Sequence, residues 1–357
     1  MGVRAQAYIR SSALKHNLAR VRAYAPQSRV MAAIKADGYG HGALQIAAAL
    51  EDAHALAVAT LDEAMQLRWH GEQRDLIILS GLNRLEDFRT AAEHRIQVVI
   101  HDQHHLDCLT ELDDGYKLSL WIKLDTGMHR LGFPAQQAHD ISAYLQAREN
   151  LTLTGWLTHF ACADDLDSAL TSEQIDCFAE SLLRIEGLRS LANSAAIVSR
   201  PDSHGDWVRP GIMLYGGCPI LGKSAAEFDL KPVMSLRSEL IAVHELPAGA
   251  GIGYGQTWQC PEAMPVGVVG IGYGDGYPRH APNGTPVAVN GQPVPLVGRV
   301  SMDMICVDLR EQPGAKVGDP VELWGDYVSA DTVAQRVGTI SYELFCRLTS
   351  RVEFIYE

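Results

Sequence analysis

The chain has 357 residues, of which 47% are hydrophobic and 20% charged, and its formal net charge is −13. This composition excludes a disordered chain and argues against nucleic acid or an anionic membrane as partner, since both need clustered Lys and Arg. No apolar run approaches the roughly 20 residues that span a bilayer. Charged and polar residues are scattered through residues 1–25, so no export signal is expected. Gln6 stands where a myristoylation motif starting at Gly2 requires Ser or Thr. Seven cysteines (Cys108, Cys162, Cys177, Cys218, Cys260, Cys306 and Cys346) contain no Cys-x-x-Cys pair, which reads as reduced thiols of a cytoplasmic protein and gives no metal site.

The length suggests one large domain and one smaller one. Residues 29–35 (RVMAAIK) form a short buried-strand run, and residues 43–51 (ALQIAAALE) an Ala/Leu-rich helix. Strand-like runs recur at 54–59, 76–79, 96–100, 118–124 and 151–159, with helical stretches at 61–69, 136–148 and 172–186. Alternating β-then-α units over about 200 residues favour a parallel sheet. Their number fits a (β/α)₈ TIM-like barrel, with a doubly wound sheet as the alternative.

After Pro232 the pattern becomes β-rich, at 233–246, 266–272, 286–300 and 321–324, with one short helix near 331–337. Asn283-Gly284 and Asn290-Gly291 mark tight hairpin turns. The expected division is a barrel over residues 1–232 and a mostly-β domain over 233–357.

Residues 34–42 read Ile-Lys-Ala-Asp-Gly-Tyr-Gly-His-Gly. An apolar strand ends in Lys35, and a Gly-rich turn leads into a helix. In a barrel that lysine sits at the C-terminal mouth of an early strand, where such folds place their chemistry. Partial burial lowers a lysine's pKa and frees its amine, the form that condenses with an aldehyde cofactor. Tyr39, set among glycines, reads either as a packed aromatic or as a donor to a phosphate.

The run 30–42 resembles the cofactor-lysine segment of the alanine racemases, which depend on pyridoxal 5'-phosphate (PLP). Lys-Leu-Asp-Thr-Gly-Met-His-Arg-Leu-Gly at 123–132, Asn193-Ser194-Ala195, Val208-Arg209-Pro210-Gly211-Ile212 and Gly253-Tyr254-Gly255 are similar to that family's segments, in the same order. So are Gly272-Tyr273-Gly274-Asp275-Gly276, Gly298-Arg299-Val300-Ser301-Met302-Asp303 and Ile340-Ser341-Tyr342.

The resemblance implies a barrel followed by a β domain, a PLP aldimine on Lys35, and L-/D-alanine interconversion by two bases, Lys35 and Tyr254, on opposite faces of the substrate. It also implies that Arg209 donates to the pyridine nitrogen, and that His159 lies beside the ring. Tyr39, Ser194, Tyr342 and the backbone at Gly211 and Ile212 would hold the phosphate. Arg130 and the backbone at Met302, with Asp303 beside them, would meet the substrate carboxylate. Lys123 matches a lysine that many family members carbamylate to hold the substrate-binding arginine. His129 departs from the family's usual glycine, and its side chain is expected to point to solvent. The family further implies a homodimer with shared active sites.

Three alternatives remain at this level. They are a racemase of serine or of broader range, a PLP-binding protein without catalysis, and a PLP decarboxylase on the same barrel. Aromatic residues at 254 and 342, the β domain carrying Tyr254, and Arg209 are the respective discriminating features.

Overall fold

The computed structural model describes residues 5–357; Gly2 and the rest of the first four residues lie outside the described part. In chain order the first ten strands are β1 (Gln6–Ile9), β2 (Arg29–Ala33), β3 (Ala55–Val58), β4 (Asp75–Ile78), β5 (Ile96–Ile100), β6 (Leu118–Asp125), β7 (Phe133–Pro134), β8 (Leu151–Leu157), β9 (Leu188–Asn193) and β10 (Trp207–Arg209). Strands β2 to β6 and β8 to β10 pair in parallel, and the β5–β6 and β10–β2 pairings close them into an eight-stranded barrel. Closure excludes the doubly wound alternative, whose sheet has two open edges.

Strands covered on both faces read as continuous apolar runs. Accordingly, all four residues of β3 and four of the five in β2 are buried. The barrel interior is packed with Met31, Ala55, Ala57, Ile77, Val99, Trp121, Leu157 and Trp207. Helices Leu61–Trp69, Leu85–Glu93, Gln103–Thr110, Ala138–Gln146 and Leu170–Ser181 lie between the strands. The second and third of these show apolar residues at helical spacing, with Phe88 and Ala91 buried in one and Leu106 and Leu109 in the other; Gln103–Thr110 is fixed at its start by Asp102, which accepts from the His104 N–H.

The remaining strands are β11 (Met234–Leu246), β12 (Gly251–Ile252), β13 (Trp258–Gln259), β14 (Met264–Val269), β15 (Pro286–Val289), β16 (Gln292–Val297), β17 (Ile305–Asp308), β18 (Pro320–Trp324) and β19 (Glu353–Tyr356). Their main sheet runs β14-β17-β16-β15-β18-β11-β1-β19, antiparallel except between β1 and β19. The earliest strand of the chain is thus a member of this sheet.

Asn290-Gly291 closes the β15–β16 hairpin with φ of 50° and 78°, as a type I′ turn requires. Asn283-Gly284 makes a turn ahead of β15 rather than a hairpin, its Asn283 side chain accepting from the Gly298 N–H. Two helices follow β18, Ala330–Val337 and Ser341–Cys346, where one was expected. The second has only six residues, too few for an apolar period to show.

Contacts group the chain into two compact units. One comprises Lys15–Leu214 with Cys218–Leu230, and the other Tyr215–Gly217 and Lys231–Glu357 with the described residues up to Leu14. Among the described residues no helix is long and apolar enough to cross a membrane.

The closeness of β8 to β9 yields a stability test. A Cβ on Gly155 would fall 2.3 Å from the Leu188 carbonyl oxygen and 2.7 Å from the Trp121 ring. Gly155→Ala should therefore cost on the order of 1–3 kcal/mol of unfolding free energy, seen as a lower denaturant midpoint. An unchanged midpoint would contradict so tight an approach.

Candidate active site

The segment after β2 does not enter a right-handed helix directly. Ala36, Asp37, Gly38, Tyr39 and Gly40 all have positive φ, at 53°, 53°, 63°, 54° and 74°, and wind one left-handed turn. Such a turn costs roughly 1–2 kcal/mol for each L-residue with a side chain. It persists because its surroundings hold it. The Gly38 N–H donates to the Ile34 carbonyl at 2.8 Å and the Gly42 N–H to the Asp37 carbonyl at 2.9 Å. Asp37 accepts from the Ala43 N–H at 2.7 Å, where the right-handed helix Ala43–Ala49 begins. Glu63 accepts from the Ala36 N–H at 2.7 Å. His41 is fully buried, with Nδ1 2.8 Å from the Tyr39 carbonyl, and burial drives its pKa down to about 4. Its ring is therefore neutral at physiological pH. Lys35 opens the turn directly after the barrel strand.

Four further residues picked from the sequence lie at the C-terminal ends of other barrel strands. Lys123 is near the end of β6, Arg130 is in the loop after it, His159 is just beyond β8, and Arg209 ends β10. The Arg209 side chain is buried, and among the described residues no carboxylate pairs with it. Its guanidinium donates to the carbonyls of Ser190 (2.7 Å), Leu191 (3.1 Å) and Thr158, and to the Ser190 hydroxyl (2.7 Å). Burial brings its pKa down to about 10, which leaves it a cation at neutral pH.

Lys123 is also buried. Burial, then Arg209, Arg130 and Lys35, lower its pKa to about 8 against a partial counter-effect from Asp125. Burial and the same cations, with Lys123 in their number, hold His159 neutral, its pKa well below the ordinary value. Lys35, Lys123, Arg130, His159 and Arg209 thus share one strongly electropositive environment, suited to an anionic ligand.

Arg130 rides on a loop organised by Asp125. One oxygen of that carboxylate accepts from the N–H groups of Gly127, Met128 and His129 at 3.0, 3.1 and 3.0 Å. The other lies 3.0 Å from the His129 ring. His129 has φ of 55° and is exposed, as expected, though its ring is tied to Asp125. A positive φ explains why glycine would suit that position.

Ser194 and Gly211 meet nearby. The Ser194 hydroxyl accepts from the Gly211 N–H at 2.8 Å and from the Met213 N–H at 3.4 Å. A Cβ at Gly211 would fall 2.4 Å from the Tyr39 hydroxyl, so only glycine lets Tyr39 approach the backbone there. Ile212 begins a 3₁₀ turn, Ile212–Tyr215. Two hydroxyls and backbone N–H groups at the start of a turn make a donor set that fits a phosphate.

The other predicted residues belong to the second unit. Tyr254 lies in the loop between β12 and β13, 67% exposed, between Gly253 and Gly255 at φ of 64° and 70°. The Arg299 guanidinium packs beside that loop, 3.3 Å from where a Cβ on Gly255 would sit. Met302 and Asp303 sit in a loop pinned to residues 272–274, with the Gly274 N–H donating to the Met302 carbonyl at 2.8 Å. Asp303 accepts from Arg351 at 2.6 Å, and Arg351 also pairs with Asp275 at 3.1 Å. Tyr342 is partly buried on the helix Ser341–Cys346.

Sequence reasoning missed Ser190, Asp125, Glu63, Asp37 and Arg351. The pattern Thr60-x-x-Glu63 is a legible capping box, and Asp125 before Thr-Gly a legible turn former. Nothing in the sequence signals Ser190 or Arg351.

The sequence profile "Alanine racemase, N-terminal domain" matches residues 9–219, and "Alanine racemase, C-terminal domain" matches residues 233–356. The chain is 51% identical to the alanine racemase of Nitrosococcus oceani over 97% of this chain and 98% of the relative. It is 46% identical to that of Vibrio cholerae, over 99% and 98%. Its fold is similar to the crystal structure of the biosynthetic alanine racemase from Pseudomonas aeruginosa, with a TM-score of 0.97, 43% identity and full coverage of both chains. It is also similar to the alanine racemase from Acinetobacter baumannii, with a TM-score of 0.94, 38% identity and 99% coverage of both.

The environment of Lys123 sets the sign of a pH effect. Its folded pKa of about 8 lies below the ordinary 10.5, so between those values the unfolded chain binds more protons. Stability contributed through this group therefore rises with pH across that window, and its full penalty is present below about pH 8. Lys123→Met should be more stable than the parent at pH 7, with a margin that shrinks towards pH 10. Denaturant titrations of protein freed of small molecules, in bicarbonate-free buffer, measure this. A pH-independent margin would show that Lys123 is not destabilised by its charge.

Proposed function

The chain belongs to the alanine racemase family, and from that premise we propose that this isomerase interconverts L-alanine and D-alanine with PLP held on Lys35. The observation that carries the reading is Arg209, a buried guanidinium without a carboxylate, in the same electropositive environment as Lys35 and neutral His159. A decarboxylase of this fold class would place an acid at the pyridine nitrogen. Tyr39, Ser194, Gly211 and Ile212 supply donors for the phosphate, with Tyr342 as a further hydroxyl. We assign PLP binding to the barrel, expected over residues 1–232, and the second base to the β domain, expected over 233–357.

When bound, PLP draws electrons from the bonds at Cα of an attached amino acid and so makes the Cα–H acidic. Everything else falls to the protein. The Lys35 amine takes or returns the Cα proton on one face, that of the D-enantiomer. The Tyr254 hydroxyl does so on the other face, that of the L-enantiomer. Arg209 stays protonated and donates to the ring nitrogen without yielding its proton, which limits how far charge leaves Cα and favours prompt reprotonation. His159 packs beside the ring as a neutral imidazole. Arg130 pairs its planar fork with the substrate carboxylate, helped by the Met302 backbone with Asp303 beside it.

Lys123 with a pKa of about 8 has an appreciable neutral fraction at physiological pH. The neutral amine is the form that adds carbon dioxide, forming an N–C bond and releasing a proton. The resulting carbamate is an anion that would pair with Arg130 and relieve the repulsion among the cations.

We further propose a homodimer in which Lys35 works with Tyr254 of the partner subunit. The cytoplasm is the assigned compartment, in keeping with seven cysteines none of which is joined in a disulfide.

Borohydride reduction and peptide mapping should place a pyridoxyl group on Lys35; label on Lys123 alone, or on no lysine, would sink the cofactor assignment. Chiral chromatography of an amino-acid panel should show alanine as the preferred substrate over serine. Each base supplies about 10²–10⁴ in rate, so Lys35→Ala and Tyr254→Phe should each be nearly inactive. Refolded together, about half of the dimers would be mixed, each with one intact site, and roughly a quarter of the parent activity should return. A mixture that stays inactive although mixed dimers form would place both bases on one chain.

A further inference from the structure

We propose that Glu63 is a positioning residue for the cofactor lysine. Its carboxylate clamps the left-handed turn that follows Lys35 to the neighbouring barrel loop. This rests on the reading of Lys35 as the PLP lysine.

Glu63 lies in the first turn of the helix Leu61–Trp69, after β3, and serves two structures at once. Its Oε2 accepts from the Ala59 N–H at 2.7 Å and the Thr60 N–H at 3.3 Å, while the Glu63 N–H donates to the Thr60 hydroxyl at 3.2 Å. That is a complete capping box, and it is all the helix requires of this side chain. Its Oε1 does something a cap does not need: it accepts from the Ala36 N–H at 2.7 Å.

That N–H belongs to the peptide joining Lys35 to Ala36, so the bond fixes the backbone immediately after the lysine. From Ala36 onward the chain has positive φ through Gly40, with Ala36, Asp37 and Tyr39 all strained by their side chains. Gly38, Gly42 and Ala43 donate the other hydrogen bonds described above. The Glu63 bond grips the turn at Ala36, the first of its positive-φ residues. The left-handed path also carries Tyr39 to Gly211. Holding the turn therefore sets both the lysine and a phosphate donor.

Glutamine at 63 is isosteric but has a single acceptor oxygen. With that oxygen on the Ala59 and Thr60 donors, its NH₂ would face the Ala36 N–H, donor against donor. Glu63→Gln should hold PLP about tenfold to a hundredfold more weakly, the equivalent of one lost charge-assisted hydrogen bond. PLP titration of stripped protein, followed by absorbance, reads this directly. Turnover should fall by a similar factor while the KM for alanine moves less than about threefold, since Arg130 is untouched.

Two variants separate positioning from general stability. Thr60→Ala weakens the same helix cap but leaves the Ala36 bond, so it should lower the unfolding midpoint and keep PLP affinity within about twofold of the parent. Ala36→Gly, placed in the Glu63→Gln background, relieves the positive-φ strain and should restore a substantial part of the lost affinity. Should Glu63→Gln not fold, Glu63→Asp keeps the charge but is one methylene too short to span both sets of donors, and takes its place.

Parent-like PLP affinity in the Glu63 variant would overturn the proposal. So would equal loss in Thr60→Ala, or a failure of Ala36→Gly to rescue. Failure of the wild-type protein to label on Lys35 would instead overturn the underlying functional reading.

Discussion

A guanidinium buried among backbone carbonyls, with no carboxylate to neutralise it, is the constraint on which the rest of the site depends. Removing an arginine from water is costly, and the usual compensation is an ion pair. Here three carbonyls and a hydroxyl hold Arg209 instead. These dipoles orient the side chain but leave its net charge in place. That charge propagates through the mouth of the barrel: it helps keep His159 neutral and Lys123 partly so. The cations make the site strongly electropositive, which suits an anionic ligand.

A second theme is the strained backbone around that charge. The left-handed turn after Lys35, the positive φ at His129, and the close approach of Tyr39 to Gly211 all lie in or beside the candidate site segments. Each is held by identifiable bonds. Asp125 collects three N–H groups beneath Arg130, and Asp37 and Glu63 bracket the turn next to Lys35. Strain of this kind persists only where neighbours over-determine it. The carboxylates that do so here stabilise backbone geometry, and Asp125 also offsets part of the cationic field at Lys123.

The parallel barrel explains how residues so far apart in sequence come to share one environment. Every strand of a closed parallel barrel delivers its C-terminal end to the same rim. Lys35, Lys123, His159 and Arg209 come from four different strands, yet the charges of Lys35 and Arg209 lower the pKa values of both Lys123 and His159. The second unit is built on the opposite plan, with antiparallel strands and tight Asn-Gly turns. It presents Tyr254 on an exposed loop rather than on a buried strand end.

The sequence by itself determined the class of fold, because buried parallel strands must be apolar along their whole length and antiparallel hairpins must carry their turn residues. Runs such as residues 29–35 and the pair Asn290-Gly291 made both features legible. It also determined the candidate residues, since Ile-Lys-Ala-Asp-Gly-Tyr-Gly and the segments after it are long enough to carry a family resemblance. Tertiary structure alone decided that the barrel closes, because ring closure is a pairing between β5 and β6 and leaves no local trace. It alone placed the first strand, Gln6–Ile9, in the sheet of the second unit, between strands more than 200 residues away. The hand of the turn after Lys35 was equally hidden. A run with two glycines permits either hand, and the choice is made by a carboxylate from the next barrel unit, by Asp37 and by His41. Local sequence encodes what a segment can do; charge balance and strain are decided by partners that only the folded chain brings within a few ångströms.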